Sequence, residues 1–107
     1  MNPGEIHLIQ FDPSIGSEIQ KRRPGLVIQK SPHRSTVIVL PISSKKLTHP
    51  FYEVELSKDN QNQLYADSVV VLDQVKSFDQ QRFVGKIGSI QPFQMTEIIA
   101  KFKSILS

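Results

Sequence analysis

Residues Thr36–Ile42 read TVIVLPI, and this run decides the fold. It is apolar on both faces and rich in β-branched side chains, the pattern of a central strand buried on two sides. Such a strand needs partners along both edges, and the flanking sequence offers them. Glu5–Phe11 places Ile6 and Leu8 on one face and His7, Ile9 and Phe11 on the other. Asp12-Pro13 ends that strand, because proline cannot continue a ladder and restricts the residue before it. Leu26–Gln29 is the next strand, joined to the central run by a turn that contains Pro32. Phe51–Leu56 alternates, with Tyr52, Val54 and Leu56 on one face, and Tyr52 is expected to pack in the core. Beyond the polar stretch Ser57–Leu64, two more strands are expected at Ser68–Leu72 and Lys86–Ile90.

Pro92 suits the first turn of a helix, where its missing N–H costs nothing. Met95, Ile98, Ile99, Phe102, Ile105 and Leu106 then recur at helical spacing and form one apolar stripe. The fold predicted is mainly β (α+β). Five or six short strands bend into a small antiparallel β-barrel that hides its edges, with a C-terminal amphipathic helix packed on it.

A chain of 107 residues is expected to form a single domain, 1–107, with one modest core. Hydrophobic content of 38% and charged content of 21% fit an ordinary globular protein and argue against disorder. No apolar run approaches the roughly 18–20 residues of a membrane span, and MNPGEIHLIQ lacks the basic start of a secretory signal. A cytoplasmic location without membrane attachment is therefore expected. The lack of cysteine excludes disulfides, zinc–thiolate sites and thiol nucleophiles. The net charge of +3 is unevenly spread: residues 1–50 hold seven Lys/Arg against three Asp/Glu, and residues 51–107 hold six against seven. The basic excess reads either as a patch that attracts phosphates or as plain solvated loops.

Three ordered segments carry a resemblance to a known family. They are GEIHLIQFDPSIGSEIQKRRPGLVI (4–28), VIVLPISSKK with HPFYEVEL (37–56), and DSVVVLDQVKSFDQQRF (67–83). Together with the C-terminal helix they resemble the MazF/PemK/Kid toxins, the endoribonucleases of bacterial toxin–antitoxin systems. The resemblance covers essentially the whole chain. It implies an SH3-like barrel that forms homodimers, cleaves single-stranded RNA at short motifs, and needs neither metal nor cofactor. The ribose 2′-hydroxyl would be the nucleophile, and a cognate antitoxin would block the site.

Arg23, directly before Pro24, matches the family's catalytic arginine. A planar guanidinium meets two phosphate oxygens at once, and its pKa above about 12 suits it to charge stabilisation rather than to base catalysis. Ser43 stands where the family usually has threonine, and its hydroxyl can donate to the developing oxyanion; Ser44 is close enough to substitute. Asp73 and Gln74 lie in the third block, where some members use an aspartate to orient or deprotonate the 2′-hydroxyl and where Gln74 is expected to contact RNA. The arginine that those members carry two residues earlier is Val71 here, which shifts the burden to Arg23 and leaves Asp73 either catalytic or structural. Ser17 replaces a loop histidine of some members, and Glu18 beside it reads as a base, a contact to a nucleobase edge, or a solvated carboxylate. Lys21, Arg22, Lys45 and Lys46 read as phosphate-positioning charges, and Phe51 or Tyr52 as a stacking platform for an unpaired base. Two rival functions share this frame. One is a gyrase poison like the structurally related CcdB family, and the other is a non-catalytic member that only binds RNA or an antitoxin.

Overall fold

A computed structural model of the chain describes residues 1–11 and 22–106. Its strands are β1 (Glu5–Gln10), β2 (Arg22–Lys30), β3 (Thr36–Ser43), β4 (Glu53–Leu56), β5 (Ser68–Val71), β6 (Lys76–Asp79) and β7 (Phe83–Ser89), followed by helix α1 (Pro92–Ile105). All strand pairings are antiparallel. The sheet runs β4-β5-β3-β2-β1-β7, with β6 added to β3. Its path ends at β4 and β7, so the expected barrel is realised as an open sheet.

β3 holds the central place its sequence predicts. One edge pairs with β2. On the other edge Thr36–Val39 pairs with β6, and Ile42 and Ser43 pair with β5. Leu40 and Pro41 fall where the outer partner changes, the kind of break at which a residue without an N–H is tolerated inside a sheet. The two apolar faces of β3 feed two cores. Val37 and Val39 join Ile9, Val27 and Phe78, whereas Leu40 and Ile42 join Ile6, Leu26, Leu56, Val70, Leu72 and Ile98. β1 and β2 divide their side chains in the same way, with Ile6 and Leu26 going to one core and Ile9 and Val27 to the other.

Several boundaries differ from the sequence reading. β2 reaches back to Arg22 because Arg22, Arg23 and Pro24 pair with Gln10, Ile9 and Leu8 of β1; a basic, proline-containing segment gives no strand signal of its own. β6 is short and holds one buried apolar residue, Phe78, so its pairing with β3 was not legible. β4 starts at Glu53. Phe51 and Tyr52 instead form a turn, exposed by 59% and 42%, with their rings edge-to-face at 4.9 Å, so Tyr52 is not a core residue. β7 begins at Phe83, and β5 stops at Val71, where a 3₁₀ turn spans Leu72–Gln74.

Helix α1 begins as expected with Pro92 in its first turn. Gln91 and Gln94 cap it reciprocally, the Gln94 side chain accepting from the Gln91 N–H at 2.8 Å. Ile98 is fully buried, and Met95, Phe102 and Ile105 pack beside it on the larger core. Leu106 follows the last helical residue and is 69% exposed, because the stripe runs off the sheet there. Among the described residues no helix is long and apolar enough to cross a membrane. Ile98→Ala should therefore destabilise the protein by about 2–4 kcal/mol in denaturant unfolding, whereas Leu106→Ala should change it by less than about 0.5 kcal/mol.

Candidate active site

The start of β2 and the end of β3 lie side by side because the strands are antiparallel, with Gly25 paired to Pro41. Two residues further along each strand are Arg23 and Ser43. In a pleated sheet that step returns to the same face, which turns both side chains toward one side of the sheet. Both line a cleft of about 960 Å³ that also takes in Arg22, Ser44, Lys45 and Gln74. Arg22 and Arg23 are exposed and Ser43 is half-buried. A groove lined by two arginines and two serine hydroxyls can hold an anion between charge and neutral donors.

Not every predicted residue reaches this cleft. Asp73 is exposed on the 3₁₀ turn and lies outside the lining, although its neighbours Val71 and Gln74 belong to it. Lys46 and Phe51 are exposed and lie outside the lining as well. Ser17, Glu18 and Lys21 fall outside the described residues. His7 also stands apart. It is buried, bonded through Nε2 to Glu5 at 2.9 Å and edge-on to Phe83.

Lys45 is held by a specific partner. Its Nζ lies 2.6 Å from Oε2 of buried Glu53 and 2.8 Å from Thr48 Oγ1. The other Glu53 oxygen accepts the backbone N–H groups of Thr48 and His49 at 3.0 and 3.1 Å. The Lys45 ammonium, opposed by burial and helped by those two N–H groups, holds the Glu53 carboxyl down at about 2. This carboxylate pins the chain between the serine pair and β4, and so it braces one wall of the cleft.

Lys76, Tyr65 and Glu53 are among the cleft residues that escaped the sequence reading. Lys76 lines the groove from β6; it occupies the basic position of the third sequence block, a signal that was present but unused. Tyr65 also lines the groove, with its hydroxyl 3.3 Å from Ser44 Oγ, and nothing in a polar loop marked it beforehand. Among the described residues no cluster of three His, Cys, Asp or Glu side chains could hold a metal ion.

Comparison with known proteins bears on the fold and the family. The sequence model of PemK-like, MazF-like toxins of type II toxin–antitoxin systems matches residues 2–106. The chain is 32% identical to an endoribonuclease MazF of Staphylococcus saprophyticus, over 92% of this chain and 84% of the relative. The fold superposes on a MazF crystal structure from Deinococcus radiodurans with a TM-score of 0.76 and 25% identity, covering 99% and 96% of the two chains. A MazE-MazF crystal structure from the same organism gives a TM-score of 0.78 at 22% identity, covering 99% and 95%. The chain belongs to the PemK-like, MazF-like toxin family.

The Glu53 carboxyl sits below its ordinary value of 4.5 when folded, so the stability it lends is complete above that pH and is lost as pH falls toward about 2. Glu53→Gln should lower stability at pH 7 by about 2 kcal/mol and flatten the acid side of the profile. Urea unfolding at several pH values between 2 and 7 checks both.

Proposed function

We propose that this toxin is a metal-independent endoribonuclease that cuts single-stranded RNA at short sequence motifs. The observation that carries the reading is the shared placement of Arg23 and Ser43 in one open cleft. In the reaction the ribose 2′-oxygen attacks the adjacent phosphorus and the P–O5′ bond breaks. The 2′-hydroxyl loses its proton and the departing 5′-oxygen takes one up, leaving a 2′,3′-cyclic phosphate and a 5′-hydroxyl. Negative charge grows on the non-bridging oxygens, where the Arg23 guanidinium can engage two of them and Ser43 can donate one hydrogen bond. Arg22 and Lys76 would hold flanking phosphates, and Gln74 could meet a base edge. Asp73, outside the cleft lining, is assigned a supporting place rather than contact with the reacting atoms.

The functional unit is proposed to be a homodimer restrained by a cognate antitoxin. An acidic antitoxin segment would complement the Arg22, Arg23 and Lys76 side of the cleft and exclude RNA from it. Val71, an apolar residue in the cleft wall, is the one observation that favours a non-catalytic RNA binder. Binding without cleavage of any cellular RNA would decide for that reading.

Purified protein incubated with total RNA in chelator should produce discrete fragments with 5′-hydroxyl ends. Arg23→Ala should slow cleavage by about 10²–10³-fold, the usual loss when one preorganised transition-state donor is removed. Arg23→Lys should recover little of it, because a point charge does not reproduce the planar fork. Undiminished cleavage by Arg23→Ala would refute the assignment.

A further inference from the structure

Among the described residues Tyr65 is the most exposed large hydrophobic side chain, at 82%, yet it stands on a hydrogen-bonded loop. The loop beneath it is closed by Asn62, itself 1% exposed. The Asn62 amide oxygen accepts from Asp59 N and Leu64 N, both at 3.0 Å, and its Nδ2 donates to Ser57 O at 2.8 Å. Asp59 Oδ1 accepts from Gln61 N and Asn62 N at 2.9 and 2.7 Å. The loop also lies directly on β7. A Cβ at Gly88 would stand 2.4 Å from Gln61 O, so only glycine permits that approach. Polar satisfaction of this completeness fixes the backbone that carries Tyr65.

The residue lines the open rim of the cleft, with its hydroxyl 3.3 Å from Ser44 Oγ. The other aromatic groups of the region are already engaged. Phe51 and Tyr52 face each other outside the cleft lining, and Phe11 packs edge-on to Phe78 at 4.8 Å. Among the described residues the Tyr65 ring meets no other aromatic ring. A rigidly mounted aromatic face left to solvent, beside arginines placed for phosphate, matches what an unpaired nucleobase requires: a stacking surface a short distance from its backbone.

We propose that Tyr65 is the stacking platform for an unpaired nucleobase next to the scissile phosphate, and that it sets the register of the RNA strand across Arg23 and Ser43. The assignment rests on the endoribonuclease reading above. It replaces the expectation that Phe51 or Tyr52 serves this purpose.

The chain has two tyrosines and no tryptophan, so Tyr52→Phe leaves Tyr65 as the sole strong emitter. The probe is an oligoribonucleotide of about twelve residues spanning a mapped cut site, with a 2′-deoxy sugar on the 5′ side of the scissile phosphate to prevent cleavage. Its binding should quench the tyrosine emission of the Tyr52→Phe protein, while anisotropy of a labelled copy reports binding independently. In cleavage assays Tyr65→Ala should raise KM about tenfold with little change in kcat, and Tyr65→Phe should stay within about twofold of wild type because the ring remains. Binding without quenching overturns the stacking role and leaves the nuclease reading intact. So does a Tyr65→Phe variant as impaired as Tyr65→Ala, which would put the function in the hydroxyl contact to Ser44. Neither binding nor cleavage by the wild-type protein overturns both readings together.

Discussion

The antiparallel register between β2 and β3 is the constraint from which the cleft follows. Gly25 opposite Pro41 brings the Arg23 end of β2 and the Ser43 end of β3 to one cleft, and neither position can be shifted by one residue without sending its side chain to the other face. That register is fixed by burial on both sides. Leu26 and Leu40 pair and enter one core, while Val27 and Val39 pair and enter the other. A slip would expose both sets at once. The two cores thus stabilise the fold and also determine which residues share a cleft.

The remaining walls are added by devices of a different kind. Pro41 marks the place where β6 gives way to β5 along the outer edge of β3, and each of those strands leads to a cleft residue, Lys76 on the one and Val71 on the other. The serine segment is braced by the Glu53 carboxylate and its Lys45 partner, which line the cleft themselves. The loop that carries Tyr65 is locked by Asn62 and by the absence of a side chain at Gly88. Charge, polar satisfaction and close backbone approach each hold a different side of one groove.

Much of this was legible in the sequence where burial governs. TVIVLPI had to be a central strand, and the apolar stripe after Pro92 had to be a helix against the sheet. Pairing partners with little apolar content were not legible, since Lys76–Asp79 and Arg22–Pro24 become strands only because β3 and β1 offer them free edges. Arg23 and Ser43 could be singled out from the arginine–proline step and the hydroxyl after the strand end, whereas their proximity is a consequence of register. Lys45 read as a phosphate-positioning charge, and its engagement with Glu53 depends on a buried carboxylate that alternation in Phe51–Leu56 had not placed in the interior. Tyr65 carries no periodic signal at all. Its significance is purely a matter of where a locked loop holds it.

The central claim is that Arg23 and Ser43 act on the same phosphate as one unit. A double-mutant cycle with Arg23→Ala, Ser43→Ala and the pair, read as single-turnover cleavage of one RNA in chelator, tests it most directly. If one guanidinium and one hydroxyl clasp a common diester, the double variant should be scarcely slower than the worse single variant. Strict additivity of the two losses would mean that they act apart, and would contradict the account.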